Sequence, residues 1–207
     1  MLPTSKVMVM AGVFFALSGE HSGFAQSLFQ QQINRHRQTY KAEFLKDPRS
    51  PLKQEDLPLL SFFDPDSTFR VEAVLQRTPE AEPFDLPTYD GQKKPYVQYA
   101  VLSFKWNGRD QKLVVYRSLQ LARLPQYRDY LFLPFKDLTN GKETYGGGRY
   151  LDLRMSDQKE GKITIDFNKA YNPYCAYSDG YACPIPPKEN HLPIAVRAGE
   201  KAFSRPH

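Results

Sequence analysis

The chain carries 28 Lys and Arg against 23 Asp and Glu in 207 residues, a formal charge of +5, with 41% hydrophobic residues and only two cysteines. That balance is mildly basic, and basic residues are scattered among Tyr, Asp and Glu, never in a run longer than two. A stripe that tracks polyphosphate is therefore excluded, and no nucleic-acid partner is expected.

The first residues, MLPTSKVMVMAGVFFALSGEHSGFAQ, place one Lys before a short apolar run from Val7 to Leu17, followed by small residues up to Gly23, Phe24 and Ala25. Charged start, apolar centre and small residues before a cut are the layout of a secretory signal peptide. The run is too short for a bilayer core of about 30 Å, which needs roughly 20 residues. Residues 1–25 are thus expected to be a signal peptide cleaved after Ala25, and the alternative is an uncleaved anchor helix. The expected product is an exported protein of the periplasm or exterior, with no membrane span once the signal is removed. Its remaining 182 residues suit one domain. Oligomeric state leaves no mark in the sequence.

Over 27–46 the apolar residues Phe29, Ile33, Tyr40 and Phe44 recur at helical spacing among polar ones, which predicts an amphipathic N-terminal helix (26–47) packed on the rest. Asp47-Pro48 stops it, because the residue before proline is pushed out of the α region. The stretch SPLKQEDLPLLSFFDPD then reads as a short helical turn over 54–60 and a Phe62-Phe63 pair laid on the core.

From here the period changes to two. Residues 69–75 alternate, and YVQYAVLSFKW places Tyr96, Gln98, Ala100, Leu102, Phe104 and Trp106 on one side of a strand. Asn107-Gly108 supplies two residues that tolerate positive φ, so QKLVVYRSLQL returns as a hairpin partner. Further strands are expected at 130–134, 149–155, 163–167 and 192–196, with turns at Asn140-Gly141, Gly146-Gly147-Gly148 and Glu160-Gly161. The fold class is mainly β (α+β). A curled antiparallel sheet or partly open barrel over 48–207 forms a single β-rich domain with the N-terminal helix packed against it.

Polar residues with special backbone needs cluster late in the chain. PFKDLTNGKETYGGGRYLDL sets Asp137, Thr139, Asn140, Glu143, Tyr145 and Arg149 around two glycine turns, and DFNKAYNPYCAY adds Asp166, Asn168 and Asn172. Successive glycines let backbone N–H groups converge, and with Arg149 beside them they can hold a carboxylate or phosphate. The other reading is a glycine bulge, with Arg149 paired to an acidic neighbour. Among Glu143, Asp166, Glu189 and Glu200, two or three carboxylates can converge as general acid and base, with Glu143 and Asp166 the chosen pair. Otherwise they cap loops.

Cys175 and Cys183 are separated by seven residues. Zinc knuckles use two to four residues between thiolates and need further ligands, so a cup of both cysteines, His191 and a carboxylate matches no standard spacing. A catalytic thiol would need His191 as its base. The leading reading is a disulfide, with no cofactor and zinc as the alternative. Closing a loop of about nine residues removes denatured-state entropy worth roughly 2.5 kcal/mol. Such a loop, stiffened by four prolines over 171–190, presents Tyr171, Tyr174, Tyr177 and Tyr181 in fixed positions near Asn168 and Asn172.

SPL (50–52), FFDPD (62–66), LFLPFKDLTNGKETYGGGRYLDL (131–153), DFNKAYNPYCAY (166–177) and CPIPPKENHLPIAVRAGE (183–200) together resemble a bacterial and archaeal family known as domain of unknown function 1684. The resemblance spans nearly the whole mature chain and implies no particular reaction. Because the family includes chains that look cytoplasmic with similar cysteine motifs, it lends weight to a metal or functional thiol beside the disulfide.

The expected function is binding of a small polar ligand, a sugar or carboxylate. The pocket is assigned to the 137–149 turns and the 166–190 loop, through Asn140, Tyr145, Arg149, Asn168, Tyr171, Asn172, Tyr177, Glu189 and Asn190. A hydrolase using Glu143 and Asp166 is the alternative, and a structural or envelope-interaction protein is a third.

Overall fold

A computed structural model describes residues 20–204. The expected signal peptide falls largely outside the described residues. Helix α1 (Glu20–Lys46) is followed by strands β1 (Arg70–Arg77), β2 (Phe84–Pro87), β3 (Lys93–Trp106), β4 (Arg109–Ser118), β5 (Tyr130–Phe135), β6 (Arg149–Arg154) and β7 (Lys162–Asp166). All pairings between these strands are antiparallel, and the sheet runs β6-β5-β4-β3-β1-β7, with β2 paired to the early part of β3. It curls into a half-barrel with α1 packed on it, as the period-two pattern and the single helical segment predict. Among the described residues no helix is long and apolar enough to cross a membrane.

Alternation fills the inside of the curl. Leu102 and Phe104 of β3, Leu113 and Val115 of β4, Leu131 and Leu133 of β5 and Ile163 and Ile165 of β7 form one buried core. Leu192, Val196 and Ala198 close it from the C-terminal segment. Asn107 and Gly108 take φ of 47° and 77°, the two left-handed residues that the β3–β4 turn requires. Lys159 and Lys162 bridge across Glu160-Gly161 in the same way.

Two expectations need correction, and one strand was not expected. The single-sided array on β3 breaks at Tyr99, where the register with β4 shifts between Gln98 and Ala100. One unpaired residue inverts the side-chain parity. Tyr96 therefore joins Leu86, Val114, Tyr116, Phe132 and Tyr150 in a second cluster, on the outer face of the sheet, while Ala100, Leu102 and Phe104 stay inside. Segment 192–196 is no strand. Pro193 lacks an N–H, and the segment is tied to the end of β5 by Leu192 N–H to Lys136 C=O and Leu138 N–H to Ile194 C=O, at 2.8 and 3.0 Å. β2, four residues ending in proline, carries too little alternation to stand out in the sequence.

The β4–β5 junction has one paired position, Tyr116 with Phe132. Asn190 bridges the two strands beside it. Its Oδ1 accepts from Val114 N–H at 2.7 Å, and its Nδ2 donates to the carbonyls of Val114 and Pro134 at 2.8 and 2.7 Å. The side-chain amide thus does the work of a missing peptide unit.

Candidate functional site

Outward-facing positions of β3, β5 and β6 carry rings. Tyr96 packs on Phe132 at 5.7 Å between centroids, Phe132 on Tyr150 at 4.8 Å, and Tyr150 edge-on to Tyr171 at 5.9 Å. Opposite them stands the loop closed by Cys175 and Cys183, which are at disulfide distance with Cα atoms 6.3 Å apart. Its Tyr174 and Tyr181 form an edge-to-face pair at 5.2 Å. Between the outer face and this loop lies an open cleft of about 680 Å³, a size usual for small-molecule sites. Seven aromatic rings line it, and Arg49 and Lys94 are its cations.

The loop is held in place by hydrogen bonds from the cleft itself. Lys94 donates to the carbonyl of Ala182, Tyr150 to that of Pro184, and Tyr181 to that of Arg49 at 2.7 Å. Burial lowers the Lys94 pKa, the nearby Asp90 raises it, and Arg49 lowers it further, so the two cations act on the same space. Tyr96 is pushed up to about 12 by burial, which keeps its hydroxyl protonated in neutral solution.

Asp152, on the outer face of β6, adds a carboxylate that sequence reasoning missed. Its Oδ1 accepts from the Tyr130 hydroxyl at 2.8 Å and the Tyr171 hydroxyl at 2.7 Å. The residue is open to solvent but deep in a concave surface, and that crowding raises its pKa. Its neighbours Tyr130 and Tyr171 both line the aromatic cleft.

The residues singled out from the sequence are placed unevenly. Of the nine ligand candidates, Tyr171 alone lines the aromatic cleft, and none of the 137–149 turn residues does. Arg149 is fully buried. Its Nη2 donates to Asp137 at 2.9 Å and to the Val196 carbonyl at 2.8 Å, and its Nη1 reaches the carbonyls of Ala198 and Glu200. This is the pairing reading of the glycine segment; Gly148 takes φ 97°, and a Cβ there would also meet the Phe135 carbonyl and Pro186 at 2.7 Å, so both backbone and space require glycine. Asn140 caps its own turn, accepting from Asp137 N–H at 2.6 Å and donating to the Tyr145 carbonyl at 2.8 Å. Tyr145 is half-buried beside Gly147.

Asn168 exchanges hydrogen bonds with the backbone of Asp66, at 2.9 and 2.8 Å. Asn172 donates its side chain to Lys201 and its N–H to Glu200, while Glu189 accepts from Tyr116 at 2.8 Å. Tyr177 and Tyr40 both donate to Glu200, at 2.6 and 2.9 Å.

Glu143 and Asp166 each have their own partners. The Glu143 carboxylate takes a fork from Arg197 Nε at 2.9 and 3.0 Å, and Asp166 caps the turn at Asn168 through its N–H at 3.1 Å. Asp166 faces a polar cleft between the two outermost strands, and Glu143 is not among the residues that line it. His191 sets its Nε2 against the Pro186 carbonyl at 3.2 Å. Among the described residues no three His, Cys, Asp or Glu side chains group closely enough to hold a metal ion.

One signal in the sequence pointed to the real cleft. In YLFLPF and RYLDLR the solvent-parity positions hold Tyr130, Phe132, Tyr150 and Asp152, where a water-facing sheet would carry simple charges.

Residues 55–201 match the family described as a protein of unknown function (DUF1684). The chain is similar to an uncharacterised protein of Haloarcula marismortui whose structure was solved by solution NMR. Sequence identity is 38%, the match covers 86% of this chain and 96% of that one, and the TM-score is 0.65. Comparison with curated proteins finds no match.

Proposed function

The chain belongs to the DUF1684 family, and from that premise we propose an exported protein whose aromatic cleft binds a small polar ligand carrying a carboxylate, a sugar acid being the fullest fit. The observation that carries this reading is the pairing of Lys94 and Arg49 with seven rings in one open cleft. Ring faces stack on the apolar face of a sugar, and phenol oxygens whose hydrogens are already committed to protein acceptors offer lone pairs to its hydroxyls. The half-buried ammonium of Lys94 and the exposed guanidinium of Arg49 at the cleft edge favour a carboxylate through charge-assisted hydrogen bonds. Export is supported by the charged and apolar start of the chain and by the Cys175–Cys183 bond, which persists in oxidising compartments.

Calorimetric titration of the mature protein with galacturonate and glucuronate, against galactose and glucose, tests the reading. The acids should bind at least about tenfold more tightly than the neutral sugars, a difference of about 1.4 kcal/mol. Lys94→Met should remove that preference. Equal affinities, or no binding by either acid, would overturn it.

A further inference from the structure

We propose that the groove continues past the aromatic cleft into a second sugar subsite centred on Asp152, so that the ligand is an acidic oligosaccharide of at least two rings. The inference rests on the reading of the aromatic cleft as a site for a sugar acid. A smaller cleft of about 370 Å³ lies where α1 meets the sheet, and it shares Tyr171 and Tyr174 with the aromatic cleft as a common wall. The helix contributes His36, Tyr40, Glu43 and Phe44 to it, and the sheet side contributes Asp152 and Lys169.

Asp152 has the features of a built ligand group. Two tyrosine hydroxyls fix its Oδ1, at 2.8 and 2.7 Å, and no described residue donates a hydrogen bond to its Oδ2. One oxygen is therefore oriented by protein, and the other keeps its lone pairs free as an acceptor on a residue that lines both this cleft and the polar cleft of Asp166. On the same cleft Lys169 and His36 supply donors, and Tyr40 and Phe44 supply an apolar wall, packed edge-on at 5.1 Å. Glu43 and Asp152 stand against Lys169, and burial and Lys169 lower the His36 pKa, so its ring is an uncharged hydrogen-bonding group; a cleft with more acid than base disfavours a second carboxylate and suits a neutral polyhydroxyl ring. A ring that donates hydroxyls to Asp152 and accepts from Lys169 satisfies both kinds of group, while the neighbouring acid ring lies by Lys94 and Arg49. The shared wall of Tyr171 and Tyr174 is where the linkage between rings would cross.

The test titrates the mature protein with galacturonate and glucuronate monomers and with dimers and trimers containing them. Wild type should gain at least about tenfold in affinity from monomer to dimer, as two or three added hydrogen bonds would give. Asp152→Asn keeps an oxygen for the two tyrosines but turns the free acceptor into a donor, and the gain should fall below about threefold. Lys169→Met reads the same gain if Asp152→Asn proves unstable. Monomers that bind with no gain on lengthening overturn the second subsite and leave the first standing, as does a full gain in both variants. No binding by any acid removes the aromatic-cleft reading itself.

Discussion

Arg149 and Asp137 meet at 2.9 Å with neither side chain exposed to solvent. Burial pulls the guanidinium pKa down, and Asp137 beside it holds the charged form. The remaining donors of the arginine reach carbonyls of Val196, Ala198 and Glu200, so one cation pins the whole C-terminal segment to the end of the sheet. Removing one partner of such a pair leaves a buried charge unmatched, at a cost of about 3–5 kcal/mol. Asp137→Asn should lower the urea midpoint by the equivalent amount without altering ligand affinity for the material that remains folded. An unchanged midpoint would show that the pair is not buried as described.

Glu200 gives the fold a pH dependence. Burial pushes its carboxyl from 4.5 up to about 7, against the hydrogen bonds from Tyr177, Asn172 and Tyr40 that favour the ionised form. The folded chain therefore holds this proton more tightly than the unfolded chain does. Its contribution to stability is complete below about pH 4.5 and is lost as pH rises through about 7, a change on the order of 3 kcal/mol at 1.36 kcal/mol per unit. Unfolding measured in urea at pH 5 and pH 8 should show that loss from this group in wild type. Glu200→Gln should remove it, and a variant that keeps the full pH slope would assign the effect to another group.

Asn190 is the test of the β4–β5 junction. With three backbone partners and no solvent exposure, its loss leaves Val114 N–H and two carbonyls unmatched in the interior. Each such group costs about 1–3 kcal/mol. Asn190→Ala should destabilise by about 3 kcal/mol or more. Asn190→Asp should be at least as damaging, because a carboxylate has no hydrogen for the Val114 and Pro134 carbonyls. Amide exchange at Val114 reports the loss directly.

The Cys175–Cys183 bond closes the loop that walls the aromatic cleft. In the chain-entropy account a loop of about nine residues is worth roughly 2.5 kcal/mol. A Cys175→Ser, Cys183→Ser double variant should lose about that much stability and also weaken binding of a sugar acid, because Tyr174, Tyr181 and the Ala182 carbonyl are then held less firmly. Stability lost with affinity intact would detach the loop from the site.

What could be read from the sequence was local. Asn107-Gly108 announced its hairpin because both residues tolerate the left-handed backbone found there. The helix was legible from Phe29, Ile33 and Phe44, all buried, and from the stop at Asp47-Pro48. Arg149, Asn168 and Asn190 stood out as polar residues with unusual demands, and those demands proved to be structural: each satisfies backbone groups that regular pairing leaves open. The cleft was harder to see because it depends on the outer face of a sheet that also buries its inner face. Tyr96 reaches that face only through the Tyr99 bulge, and Arg49, Lys94 and Tyr174 come together from segments distant in the chain.

The central claim is that the ligand sits between the outer face of β5 and β6 and the disulfide loop. An amide chemical-shift titration of the isotope-labelled protein with galacturonate tests it most directly. Shifts should concentrate at Lys94 and Tyr96, at Tyr130 and Phe132, at Tyr150 and across 171–184, and should saturate with one site. Shifts gathered instead on the 137–149 turns around Asn140, Glu143 and Tyr145, or none at saturating acid, would contradict it.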